Sequence, residues 1–202
     1  PQTFNDAVRA NVGRRHTTEQ TIAAYNLARK VGFENINMDF IAGLNGDTLD
    51  SFKNSIDTAV DMGADSVTVH NLALKSGAYL VTEKEYFDLS QRNTAYNMID
   101  YSAQKLSHSG YYPYYMYRQS KSLGNLENVG WCKSNKDCLY NVFMMDETHT
   151  VLAAGAGAVT KLKNPQTSHI ERIYNFKYPY EYINDFQVLI DRKSQIVDFY
   201  NK

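Results

Sequence analysis

Asp39 stands in an otherwise largely apolar run, Asn35-Ile36-Asn37-Met38-Asp39-Phe40-Ile41-Ala42-Gly43-Leu44. A carboxylate in a buried strand must find donors. It either closes a structural hydrogen bond, the more common case, or accepts from the hydroxyls or ammonium of a ligand. Gln2, in the opening Pro1-Gln2-Thr3-Phe4-Asn5, carries an amide that can donate or accept. Arg14, in Gly13-Arg14-Arg15-His16, carries a fork of donors that can grip a carboxylate. Gly155-Ala156-Gly157 allows close backbone approach, although Gly-x-Gly alone is more often a bulge or a turn. Cys132 and Cys138 flank a Lys/Ser/Asn/Asp loop. Their spacing does not suit a closed zinc site without further ligands, so they read as ordinary thiols. His70, on a strand face opposite Val67 and Val69, reads as a satisfied core or barrel-mouth histidine and not as a metal ligand.

The elements that must carry these residues change character along the chain. Thr17-x-x-Gln20 is a capping box, followed by Ala24, Leu27, Ala28 and Val31 at helical spacing and a stop at Gly32. Ile36 to Ala42 predicts a buried parallel strand bounded by Gly43 and Gly46. Asp47 or Thr48 caps a second helix with Phe52, Ile56 and Ala59 on one face, ended by Gly63. Ser66 to Leu72 predicts the next strand. Thr82-x-x-Glu85 caps a third helix, lined by Ala95, Met98, Ile99, Ser102 and Leu106 and ended by Gly110. Helix and strand in alternation with short connections predict βα units around a parallel sheet. Beyond this, Tyr111 to Tyr117 is aromatic and strand-like, and 119–137 reads as a loop. Leu139–Met145 and Thr148–Ala153 read as a hairpin about Asp146-Glu147. Ala158–Lys163 and Ser168–Asn175 read as strands. A terminal helix covers about Pro179 to Asn201, broken near Arg192.

As a set, these segments resemble the oxygen-independent coproporphyrinogen III oxidase family of radical S-adenosylmethionine (SAM) enzymes. The resemblance rests on Pro1–Asn5, Gly13–His16, Asn35–Leu44, Tyr117-Arg118-Gln119, Asn125-Leu126-Glu127-Asn128-Val129-Gly130-Trp131 and Ile170-Glu171-Arg172, and is most similar to the coproporphyrinogen dehydrogenase, HemZ-type, branch. It implies an α/β fold: the C-terminal part of a radical SAM partial βα barrel over 1–110, then an α+β substrate-covering region over 111–202. It implies that Gln2, Arg14, Asp39 and Ala73 line a bound SAM and that Val159 contacts SAM near its adenosyl part. Arg118 and Arg15, with Lys75 and Lys121 as weaker candidates, would face the propionates of coproporphyrinogen III, which need cations. The family holds a [4Fe–4S] cluster on a Cys-x3-Cys-x2-Cys motif. The motif is not in this sequence, so the resemblance makes the chain a C-terminal fragment, with the cluster ligands outside it and no activity alone. The implied reaction is oxidative decarboxylation of two propionates to vinyl groups in haem biosynthesis, giving protoporphyrinogen IX. It is driven by a radical made from SAM and requires an electron donor. Asn45 stands where the family usually has Pro. The alternative is a haem-binding or haem-trafficking relative, whose His-Asn-x-x-Tyr-Trp motif is replaced by Cys138-Leu139-Tyr140-Asn141-Val142-Phe143.

Composition fits a folded domain of this kind. The 202 residues are 43% hydrophobic and 21% charged, which is globular and not disordered. A net charge of -1 gives no sign of a nucleic-acid or anionic-membrane surface. No apolar run approaches the ~20 residues that span a bilayer. Two Cys do not form a disulfide framework, so a reducing cytoplasm is expected. Sixteen tyrosines fill strands or serve a large planar ligand. One physical expectation follows from a barrel cut before strand 36–42. That strand loses a neighbour, and its bare edge drives self-association unless the N-terminal residues cap it.

Overall fold

The computed structural model describes residues 1–73, 89–119 and 122–201. The chain divides into two compact units, Pro1–Cys138 and Leu139–Lys202. Residues 112–132, expected beyond the barrel part, add two strands to the sheet of the first unit.

The first unit opens with a short helix that the sequence reading passed over, α1 (Asp6–Asn11), capped by the Asn5 side chain. Helix α2 (Thr18–Val31) has the expected capping box at Thr17 and Gln20 and a left-handed stop at Gly32. Its buried residue is Tyr25, while Leu27 and Val31 face solvent. The apolar face expected there is thus rotated, because the Tyr25 hydroxyl reaches the Met62 carbonyl at 2.9 Å and turns its own side of α2 inward. Strand β1 (Asn37–Ala42) runs parallel to β2 (Ser66–Asn71), joined by α3 (Leu49–Asp61), which Thr48 caps. Helix α4 (Leu89–His108) follows; the expected cap at Thr82 lies outside the described residues. Strand β3 (Tyr112–Tyr117) then pairs antiparallel with β4 (Asn128–Cys132), and β4 with β2, giving the order β1-β2-β4-β3. The stretch 119–137 is therefore not a plain loop. It holds a 3-10 turn, Leu123–Asn125, and β4.

Alternation along β1 and β2 separates two faces. Met38, Phe40 and Ala42 of β1 and Val67 and Val69 of β2 are buried in one core with Phe52, Ile56 and Ala59 of α3 and Met98 and Leu106 of α4. Successive strand residues point to opposite sides, so Asn37, Asp39, Thr68 and His70 share the other face. The outer edge of β1 is met by the chain's own start. Gln2 forms a parallel bridge with Phe40, its N–H donating to the Asp39 carbonyl at 2.7 Å and its carbonyl accepting from Ile41 at 3.0 Å.

In the second unit, β5 (Val159–Lys163) and β6 (Ile170–Tyr174) form an antiparallel pair, and Val151 adds one bridge to Lys161. The hairpin expected over 139–153 is instead helix α5 (Leu139–Asp146) and that single bridge. The β-rich composition misled, since Tyr, Val and Phe owe their strand preference to sheet packing and not to the backbone. The terminal helix is three: α6 (Pro179–Asn184), α7 (Phe186–Lys193) and α8 (Gln195–Tyr200), with breaks at Asp185 and Ser194.

Candidate functional site

The polar face of the first sheet is a network of side chains and not a scatter of them. Thr68 Oγ1 donates to Asn37 Oδ1 at 3.2 Å and lies 3.3 Å from the Tyr115 hydroxyl. Asn37 Nδ2 in turn donates to Asp39 Oδ1 at 2.7 Å. The Tyr117 hydroxyl lies 3.2 Å from His70 Nδ1, and His70 Nε2 lies 3.7 Å from Asp39 Oδ1. The last distance is longer than that of a tight hydrogen bond. With the tyrosine donating to Nδ1, the ring carries its proton on Nε2, toward the carboxylate. His70, and then Asn37, hold the Asp39 carboxyl below the usual carboxylate range, against the opposing pull of partial burial. Half of the Asp39 side chain, 51%, remains accessible. It is therefore an ionised acceptor, oriented from one side and open on the other.

Tyr115 and Tyr117 bound this face. Their rings lie nearly parallel, 4° apart in tilt with centroids 6.4 Å apart. Burial pushes Tyr115 up to about 12 and raises Tyr117, so both hydroxyls stay neutral donors near neutral pH. Tyr115 fits because its register partner is glycine. A Cβ on Gly130 would come 1.8 Å from ring carbon Cε1 and 2.4 Å from Cδ1. The sheet thus lends the ring a seat against its backbone.

Gln2 combines two unusual features. Its φ of +63° is in the left-handed region that non-glycine residues seldom enter. Its amide oxygen Oε1 is buried with no hydrogen-bond partner among the described residues. A strained backbone and an orphaned buried acceptor each carry a cost of order 1–3 kcal/mol. Both fall on one residue, whose backbone is bonded to those of Asp39 and Ile41. Arg14 follows α1, its N–H donating to the Arg9 carbonyl at 3.1 Å. Arg14 and Arg15 are exposed and line an open groove of about 520 Å³ with Gly13 and His16. Ala73 lies two residues past the end of β2 and bridges Ser122. Val159 begins β5 in the second unit.

Arg118 donates to Glu127 Oε1 at 3.0 Å in an accessible pair, so its charge is already partly matched. Lys75 and Lys121 lie outside the described residues. Cys132 is buried, its thiol 3.3 Å from Asp137 and pushed up to about 11 by burial, which makes it inert; Cys138 is also a free thiol. Among the described residues no cluster of three or more His, Cys, Asp or Glu could hold a metal. With two cysteines, the chain does not fit an iron–sulfur cluster on its own.

Sequence reasoning missed three partners. Thr68 could have been found from the period-two alternation of Ser66, Thr68 and His70, which marks a polar-faced strand, and Tyr115 from its two-residue spacing to Tyr117 on the aromatic strand. The third is Arg9. It is fully buried, bonded to Asp6, Thr18 and the His16 carbonyl, and holds the turn that carries Arg14. Nothing in its local sequence announced a buried arginine.

The comparisons with known proteins agree with the resemblance read from the residues. Residues 1–59 match the Radical SAM superfamily. The chain is 34% identical over 198 residues to the oxygen-independent coproporphyrinogen-III oxidase-like protein HemZ of Bacillus subtilis, across 98% of this chain and 40% of that protein. It is 26% identical over 187 residues to the haem chaperone HemW of the same organism, across 89% of this chain and 46% of that one. Among solved structures it matches coproporphyrinogen III oxidase (HemN) from Escherichia coli, a radical SAM enzyme, with a TM-score of 0.62 at 19% identity, covering 91% of this chain and 42% of that one. That likeness shows the fold: a mixed α/β chain with the radical SAM architecture. The chain spans less than half the length of these relatives.

Proposed function

We propose that this chain, a relative of the radical SAM oxygen-independent coproporphyrinogen III oxidases, forms one wall of a SAM pocket in a protein that oxidatively decarboxylates coproporphyrinogen III to protoporphyrinogen IX. One observation carries the reading: the orphaned, buried Gln2 amide oxygen on a left-handed backbone that is hydrogen-bonded to Asp39. SAM presents donors at its ammonium and ribose hydroxyls, which suit the Gln2 oxygen and the ionised Asp39. Its carboxylate suits Arg14. When bound with a reduced [4Fe–4S] cluster held by residues outside this chain, SAM would supply a radical that abstracts hydrogen from a propionate. The chain's own residues bind and orient. His70 and Asn37 keep Asp39 charged and aimed, and Ala73 leaves room for a ligand against backbone. For Val159 the resemblance implies a contact near the adenosyl part. Arg15, and Arg118 once released from Glu127, are proposed to meet substrate carboxylates. The free thiols suit a reducing cytoplasm.

The haem-chaperone reading has support of its own, since HemW proteins stand among the relatives at 26% identity. Against it, Cys138-Leu139-Tyr140-Asn141-Val142-Phe143 lacks the His and Trp of that branch. Two assays on the longer protein separate them. Anaerobic turnover of coproporphyrinogen III to a vinyl-bearing product, with SAM consumed, is expected. No turnover, together with tight haemin binding and a shifted Soret band, would replace this reading with the chaperone one.

A further inference from the structure

The second unit contains a cavity of about 180 Å³ that the proposed function does not use. It is walled by Ala153, Ala154, Phe186, Leu189 and Ile190 and reached by three polar residues, Lys193, Asn175 and Tyr182. Each of the three retains hydrogen-bonding capacity. The Lys193 ammonium has three N–H donors and spends two, on Thr160 Oγ1 at 2.7 Å and the Ala153 carbonyl at 3.1 Å. No carboxylate lies within ion-pair distance of it among the described residues. Burial alone lowers its pKa, with no counter-charge raising it.

Asn175 is 9% exposed. Its orientation is fixed, because Nδ2 donates to the Gly155 carbonyl at 2.9 Å. Its Oδ1 is then a buried acceptor without a partner among the described residues. The Tyr182 oxygen accepts from Gly155 N–H at 3.1 Å, which leaves its hydroxyl hydrogen to donate. A half-buried cation without a counter-ion and a buried acceptor without a donor are both under-satisfied, and small-molecule sites are apolar hollows with a few convergent groups of this kind.

We infer that this cavity is a binding site for a short-chain hydroxycarboxylate. The carboxylate accepts from Lys193 and Tyr182, the hydroxyl donates to Asn175 Oδ1, and the short carbon chain lies on Leu189, Ile190 and Ala154. An ammonium in place of the hydroxyl would face Lys193 with like charge, which favours a hydroxy acid over an amino acid. The inference does not depend on the SAM reading.

The test is a titration of the full 202-residue chain, followed by NMR, with 3-hydroxybutyrate as probe. Butyrate lacks the hydroxyl and 3-hydroxybutyramide lacks the charge. Saturable shifts at Asn175, Tyr182 and Lys193 are expected with 3-hydroxybutyrate. Butyrate should bind several-fold more weakly and the amide at least about tenfold more weakly. Lys193→Met should abolish binding. Because Lys193 also ties Ala153 to Thr160, a second variant, Ala153→Leu, fills the hollow and leaves the ammonium in place; it should abolish binding as well. Absence of saturation, equal response to chloride and 3-hydroxybutyrate, or binding that survives Ala153→Leu would each overturn the assignment.

Discussion

Gly130→Ala tests whether the seat under Tyr115 organises the polar face. Two effects oppose each other. Alanine in a strand interior is favoured over glycine by about 0.5–1 kcal/mol through backbone entropy. Against this, the new Cβ would fall 1.8 Å from Tyr115 Cε1, 2.4 Å from Cδ1 and 2.7 Å from Cζ. These are carbons along one flank of a ring, not the loose tip of a flexible chain, so the whole ring must lift. Overpacking of this kind costs about 1–3 kcal/mol. Lifting the ring also breaks its 3.3 Å contact with Thr68 and its alignment with Tyr117, at about 0.5–1.5 kcal/mol for the hydrogen bond. The clash wins, with a net loss of roughly 1–3 kcal/mol. For a chain of this size that lowers Tm by roughly 2–4 °C per kcal/mol. Thermal and urea unfolding measure the loss, and near-ultraviolet circular dichroism reports the tyrosines. Tyr115→Ala removes the ring that the Cβ would strike. In the double variant, Gly130→Ala should therefore be nearly neutral, with a coupling of at least about 1 kcal/mol. Strict additivity, or a Gly130→Ala protein as stable as the parent, would show that the ring is not seated on Gly130.

Four further outcomes concern the first unit. In the longer enzyme, Asp39→Ala and Arg14→Ala should each weaken SAM use by about 1.5–3 kcal/mol with little change in melting; normal SAM cleavage in both would remove them from the site. Asp39 has a depressed carboxyl pKa, so its contribution is present above the ordinary aspartate range and is lost as pH falls through and below ~4. The effect is small because the group is half exposed. His70→Leu should move Asp39 titration upward, read by carboxyl-carbon NMR; an unmoved titration would show that His70 does not act on it. Finally, among the described residues Gln2 is the one segment that bridges the outer edge of β1, so we expect that edge to accept another chain. Self-association rising with concentration is expected in light scattering, and a monomer at millimolar concentration would show that the bridge suffices.

Local signals and sheet partners divide what could be read in advance. The Thr17–Gln20 capping box, the Gly32 stop, the Thr48 cap and the buried face of α3 were legible in the sequence, because each depends on residues within one or two turns. So were β1, from an apolar run bounded by glycine, and β2, with Val67 and Val69 on one side. Family resemblance singled out Gln2, Arg14 and Asp39, and Asp39 alone stood out by chemistry as a carboxylate in an apolar strand. Helix α5 was misread because its aromatic and β-branched residues carry strand preference only when a sheet is present to receive them. Strand β4 was missed because Gly130 weakens a strand until a neighbouring ring needs its empty side. The pairing of Tyr117 with His70, and of Tyr115 with Thr68, joins residues 47 positions apart. It exists because β4 brings β3 into the sheet of β2, with the right residues on one side. Hydrogen-bond partners across strands are set by register, and register is a property of the assembled sheet. The single chain therefore named the carboxylate, and only the fold decided what holds it.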